Sequence, residues 1–172
     1  MGLDRLLRAC SLLLKRGLHF HLMIGGSGSM RNRLEKQARE LRISNSVTFL
    51  GRISDEQLPL AYAACDAFVL PTAELECFGL IALEALSAGR PVLATPVGAI
   101  PEIIHKYDSS WLAKSANAED IAKLLEQYLS GKIREYAPDQ LHDQTDRDYN
   151  CDKVLDEFIG TTVCSQSRIL KV

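Results

Sequence analysis

The chain has 172 residues, 47% of them hydrophobic and 24% charged, with a formal net charge of −2. That length and balance fit one globular domain with a buried core, and they exclude the basic stripe that marks a nucleic-acid-binding surface. The five cysteines (Cys10, Cys65, Cys77, Cys151 and Cys164) are odd in number and show no CxxC spacing, which argues against a disulfide framework or a zinc site and for a reducing, cytoplasmic setting.

Near the start, Leu12 to Leu14 is too short an apolar run for a signal-peptide core, and no stretch approaches the roughly 18 apolar residues of a membrane helix. Leu3, Leu6, Leu7, Cys10, Leu13 and Leu14 recur at helical spacing, so residues 3–16 read as an amphipathic helix stopped by Gly17. Leu18 to Ile24 reads as a strand running into the turn Gly25-Gly26-Ser27-Gly28-Ser29. His19 and His21 share a strand face, but two ligands do not make a metal site. Residues 30–42 form a helix whose basic residues alternate with Glu35 and Glu40, as on a solvated face.

Val47 to Leu50 is a second strand, closed by Gly51. Ser54-Asp55-Glu56-Gln57 fits a capping box that starts a helix running to about Cys65. Asp66 to Leu70 is a third strand, Phe78 to Ala88 a helix with Gly89 as its stop, and Pro91 to Ala94 a fourth strand. A short helix over 99–105, a weak strand over Trp111 to Ala113 and a helix over 117–130 follow. Residues 131–150 read as an irregular link, 151–159 as a last short helix, and the remainder to 172 as a frayed tail. Short apolar strands joined by helical crossovers imply an α/β, doubly wound parallel sheet of Rossmann-like type over residues 1–130. In such sheets ligands bind beyond the carboxyl ends of the strands. The loops at 25–29, 51–53, 71–77 and 95–98 are therefore the ones that matter.

The stretch PTAELECFGLIALEALSAGRPVLATPVGAIPE, residues 71–102, carries the chemistry. A helix starting near Phe78 and Gly79 would aim its first N–H groups and positive dipole end at the ligand crevice, a place suited to a diphosphate. Gly79 has no Cβ to keep the anion away. Glu84 lies roughly 7–8 Å further along that helix, where its carboxylate can accept two hydrogen bonds from a vicinal diol such as ribose. Glu74 and Glu76 beside an anion site make sense only if they address hydroxyls. Gly25 to Gly28 is a turn bordering the site, since no GxxxxGK[ST] follows.

The ordered set Glu76-Cys77-Phe78-Gly79-Leu80-Ile81-Ala82-Leu83-Glu84, then Ala88-Gly89, Pro91-Val92, Thr95, Val97-Gly98 and Pro101-Glu102, resembles the C-terminal donor-binding domain of the GT-B fold retaining glycosyltransferases of the Glu-x7-Glu type. The segments 22–28, 47–51 and 64–71 match in order and spacing, and the resemblance covers about residues 2–130. It implies that Glu76 holds the donor sugar as the catalytic residue, that Phe78 and Gly79 offer backbone N–H groups to the diphosphate, and that Glu84 binds the ribose. It places Arg52 and Ile53 by the nucleobase, with Gly26 and Cys77 lining the site. It implies a nucleotide diphosphate sugar as substrate and no essential metal.

The same resemblance leads us to expect a first strand bearing a Gly-Arg pair, followed by a Lys that here aligns with Met1. On that basis the sequence reads as a GT-B C-terminal half without its first strand, inactive alone, because stabilising the leaving group is usually the largest catalytic term. The expected partners are the nucleotide sugar and an acceptor-binding N-terminal domain, for which a separate polypeptide is one source. A non-catalytic nucleotide-sugar-binding module and a truncated remnant stand as the alternatives.

Overall fold

Helix α1 (Leu3–Lys15) turns the expected apolar repeat into a stripe on which Leu6, Leu7, Cys10 and Leu13 are all buried. The computed structural model describes residues 2–74 and 78–150. In it, α1 packs on α6 (Ala118–Leu129), whose Ile121, Ala122, Leu124 and Leu125 complete the interface. Each such Leu or Ile contributes about 1.5–3 kcal/mol by leaving water. Asn117 starts α6 where the sequence suggests, its side-chain oxygen accepting the Asp120 N–H at 2.7 Å.

Strands β1 (Leu22–Gly25) and β2 (Val47–Gly51) pair in parallel, joined by the crossover helix α2 (Arg31–Glu40). Strands β3 (Phe68–Leu70) and β4 (Val92–Ala94) pair in the same way around α4 (Leu80–Ser87). Helix α3 (Leu58–Ala63) links the two βαβ units, and α5 (Ile100–Ile104) follows β4. Parallel strands with helical crossovers are the expected α/β architecture. Among the described residues, however, the strands form two hydrogen-bonded pairs and not one continuous sheet. A single hydrophobic core joins them, running from Leu7 through Leu70, Leu93 and Ile104 to Trp111.

Several local expectations change. The strand foreseen from Leu18 begins only at Leu22: the Leu18 N–H turns back to the Leu13 carbonyl at 3.1 Å as α1 ends, and His21, exposed, pairs with the Thr48 hydroxyl at 2.8 Å. The capping box at 54–57 does not form. Residues 55–57 are a turn held by backbone bonds to the Ser54 carbonyl, and α3 starts where Pro59 falls in its first turn, the position that proline favours. The strand over Trp111 to Ala113 shrinks to a single 3-10 turn (Ser109–Trp111) and one parallel bridge from Leu112 to Ala94.

The largest change lies in 131–150, which is not an irregular link throughout. It contains helix α7 (Pro138–Tyr149), begun by Pro138 and packed against α4. The apolar period is faint because Leu141 is the one large apolar side chain that α7 fully buries, and polar contacts make up much of the rest. Leu141 and Thr145 are buried, Thr145 meets the Tyr107 hydroxyl at 2.9 Å, and His142 Nδ1 meets the Ser87 carbonyl at 2.6 Å. The expected helix at 151–159 lies outside the described residues.

Candidate functional site

The four strands end in the loops that the parallel topology makes the binding edge. The first two loops are stitched into one ledge. The Gly26 N–H donates to the Gly51 carbonyl at 2.7 Å. A Cβ on Gly25 would stand 2.6 Å from Ile53 Cδ1, so the Ile53 side chain packs directly over this glycine and would have to shift for any larger residue. Ile53 is thereby half-buried under the β1 loop, and Arg52 stands exposed at the rim. Arg31 clamps the start of α2 to the ledge, donating to Glu35 at 2.8 Å and to the Phe49 carbonyl at 3.3 Å.

The ends of β3 and β4 are locked by Thr95, which is buried. Its N–H donates to the Leu70 carbonyl at 3.2 Å, and its hydroxyl donates to the Thr72 carbonyl at 2.5 Å, with Leu70 O also in reach at 3.3 Å. The Gly2 N–H, at the start of α1, donates to the Pro71 carbonyl at 2.9 Å and so ties α1 to this same end. Among the described residues the buried Thr72 hydroxyl has no hydrogen-bond partner.

Helix α4 begins at Gly79, which caps it with φ +66°, in the left-handed region. A Cβ there would come within 2.7 Å of Ile103 Cδ1 and 2.9 Å of Ile100 Cδ1. The left-handed backbone therefore favours glycine at this point, and a larger residue would also have to displace the ends of Ile100 and Ile103. The first amides of a helix have no partner further back in it, and the helix dipole is positive at that end; in α4 these positions are Leu80 and Ile81. Phe78 and Leu80 flank Gly79, 75% and 64% exposed. Two of the expected site residues, Glu76 and Cys77, lie outside the described residues.

Glu84 is exposed on α4, and its Oε2 accepts a hydrogen bond at 3.0 Å from the hydroxyl of Tyr62, a buried residue of α3. Burial first, and then the bond to the Glu84 carboxylate, push the Tyr62 phenol well above its ordinary range. A phenol is already a neutral donor at neutral pH, and the shift extends that state to higher pH. The hydrogen bond is fully present below the ordinary phenol range and is lost as pH climbs through the raised value.

The structure thus joins Gly26 and Ile53 in one ledge and places Glu84 on α4, with Gly79 as its cap; Phe78, expected to start the helix, lies just before it. Sequence reasoning did not single out Tyr62 or Thr72. Thr95 was noted only as part of the ordered set, and its lock on Thr72 spans two loops that no local pattern connects. Among the described residues no three His, Cys, Asp or Glu side chains gather as a metal cluster, and no helix is long and apolar enough to cross a membrane. A groove of about 420 Å³ between α1 and α6, lined by Arg5, Arg8, Lys15 and Glu119, contains none of the expected site residues.

The model of the family "glycosyl transferases group 1" matches residues 1–144. An uncharacterized glycosyltransferase of Methanocaldococcus jannaschii is 34% identical over 161 residues, covering 92% of this chain and 40% of that protein. A D-inositol 3-phosphate glycosyltransferase of Corynebacterium aurimucosum is 34% identical over 139 residues, 77% of this chain and 33% of that protein. Among solved structures, a glycosyltransferase from Rickettsia africae superposes with a TM-score of 0.80 at 19% identity, covering 96% of this chain and 45% of its own. HepE of Anabaena in complex with UDP superposes with a TM-score of 0.76 at 18% identity, covering 93% and 44%. The chain spans less than half the length of each of these relatives.

Proposed function

The chain belongs to the glycosyl transferases group 1 family, and from that premise we propose that it forms the donor-binding half of a retaining glycosyltransferase. The observation that carries the reading is the placement of Gly79 and Glu84 on one short helix at the carboxyl end of β3. The helix start takes the diphosphate of a nucleotide sugar, and the Glu84 carboxylate takes the ribose diol. The Gly26–Ile53 ledge and Arg52 border the base. Glu76, eight residues before Glu84, holds the sugar through its hydroxyls. A protein of the same fold, HepE, is known in complex with UDP, which supports a nucleoside diphosphate as the ligand class.

In the whole enzyme the reaction would move the sugar from the nucleotide diphosphate to an acceptor hydroxyl, with the anomeric configuration kept. The acceptor then belongs to the part of such enzymes that this chain does not match. Backbone amides and cationic side chains, without an essential metal, would balance the departing diphosphate. A reducing compartment such as the cytoplasm completes the proposal. Cys10 and Cys65 are free thiols, and burial pushes Cys10 up to about 12, far from the reactive range.

The test is a titration of the purified chain with UDP, GDP and ADP beside a Glu84→Gln variant. Saturable binding of one nucleotide, weakened in the variant by about 10- to 100-fold as expected for losing hydrogen bonds to a charged acceptor, supports the reading. Equal binding by both proteins, or none by either, would overturn it.

A further inference from the structure

An exposed carboxylate on a helix surface ordinarily samples several rotamers, and ordering a glutamate side chain costs up to about 1.5–2 kcal/mol of conformational entropy. Glu84 is not left in that state. Tyr62 projects from α3 with its ring buried, and the ring packs edge-on against Phe68 at 5.4 Å between centroids and 76° between planes. Its position is therefore fixed by the core, and its hydroxyl reaches out to Glu84 Oε2 at 3.0 Å.

We propose that Tyr62 is a positioning residue that presets the Glu84 carboxylate for a vicinal diol and so sets selectivity for ribose over deoxygenated sugars at this site. The proposal rests on the reading of Glu84 as the ribose-binding group. Its logic is one of donors and acceptors. A carboxylate offers about four lone-pair positions. The phenol occupies one of them on Oε2 and leaves Oε1 whole, so the carboxylate can still accept both hydroxyls of a diol. A lysine or arginine in the same place would spread several donors over both oxygens and compete with the ligand. A neutral phenol orients the group and leaves its charge intact. A phenol is neutral across the physiological range, and burial with the neighbouring Glu84 carboxylate pushes Tyr62 further from ionising.

The alternative is that the hydrogen bond merely satisfies a buried hydroxyl and stabilises the packing of α3 on α4. The two roles separate in a ligand comparison. The full chain and its Tyr62→Phe and Glu84→Gln variants are titrated with UDP, GDP and ADP, and then with the 2′,3′-dideoxy counterpart of whichever binds. Tyr62→Phe is expected to weaken the ribonucleotide about 5- to 10-fold, the scale of one modest hydrogen bond, while leaving dideoxynucleotide affinity unchanged. Phe68→Leu, which loosens the same ring contact but keeps the phenol, should lower the melting temperature without altering that ratio.

A measurement on the unsubstituted chain covers the case in which Tyr62→Phe fails to fold. The Tyr62 ring resonances should shift with the ribonucleotide and not with the dideoxy form. If Glu84→Gln abolishes ribose selectivity while Tyr62→Phe retains it, or if the Tyr62 resonances respond equally to both ligands, the positioning role is overturned and the reading of Glu84 stands. If Glu84→Gln leaves selectivity intact, or no nucleotide binds the unsubstituted chain, the reading of Glu84 fails and takes this inference with it.

Discussion

The α1–α6 side and the carboxyl ends of the strands treat apolar residues in opposite ways. Between α1 and α6, Leu6, Leu7, Leu13, Ile121 and Leu125 are all buried. At the strand ends, Met30, Leu50, Phe78 and Leu80 are 45–75% exposed, and the backbone turns through left-handed glycines at Gly26, Gly51, Gly79 and Gly98. Stability is concentrated on the first side. The second carries exposed apolar surface, helix-start amides and a held carboxylate, which are the features a ligand can use.

Substitutions can break or sharpen that contrast. The largest effect is expected from Leu7→Ala, which empties a fully buried site between α1 and the core and should cost about 2–5 kcal/mol in a denaturant melt. Gly79→Ala comes next. It forces a side chain into a left-handed conformation and against Ile100 and Ile103, at about 1–3 kcal/mol, and it should weaken nucleotide binding as well, because the start of α4 must move. Asn117→Ala removes the cap of α6 on the packing side and should cost about 1 kcal/mol with no change in ligand affinity. The smallest stability effect belongs to Phe78→Ser at the strand ends, within about 0.5 kcal/mol. A stability loss from Phe78→Ser as large as that from Leu7→Ala would erase the distinction between the two regions.

The packing side was the more legible of the two in the sequence. The stripe of α1 and the cap of α6 are local patterns, and local patterns survive into the structure. Helix α7 was missed because Leu141 is its one fully buried apolar side chain, and the rest of its docking is made by polar contacts, Thr145 on Tyr107, His142 on Ser87 and Gln144 on the Lys106 carbonyl, which leave no hydrophobic period to read. The division of the strands into two pairs depends on hydrogen bonds between distant segments, which periodicity does not encode.

At the site, Gly79 and Glu84 were readable because they share one helix, where spacing fixes geometry. Tyr62 was not. Twenty-two residues separate it from Glu84, and in the sequence it is one more apolar position on α3. What chemistry it performs is set by where its hydroxyl emerges from the core.

The most direct test of the account is an assigned NMR map of the chain with the nucleoside diphosphate that binds it. The account predicts that saturable shifts cluster at Gly26, Arg52, Ile53, Gly79 and Glu84, while Arg5, Arg8 and Asn117 in the α1–α6 groove stay still. Shifts centred on that groove, with the strand ends unmoved, would contradict it.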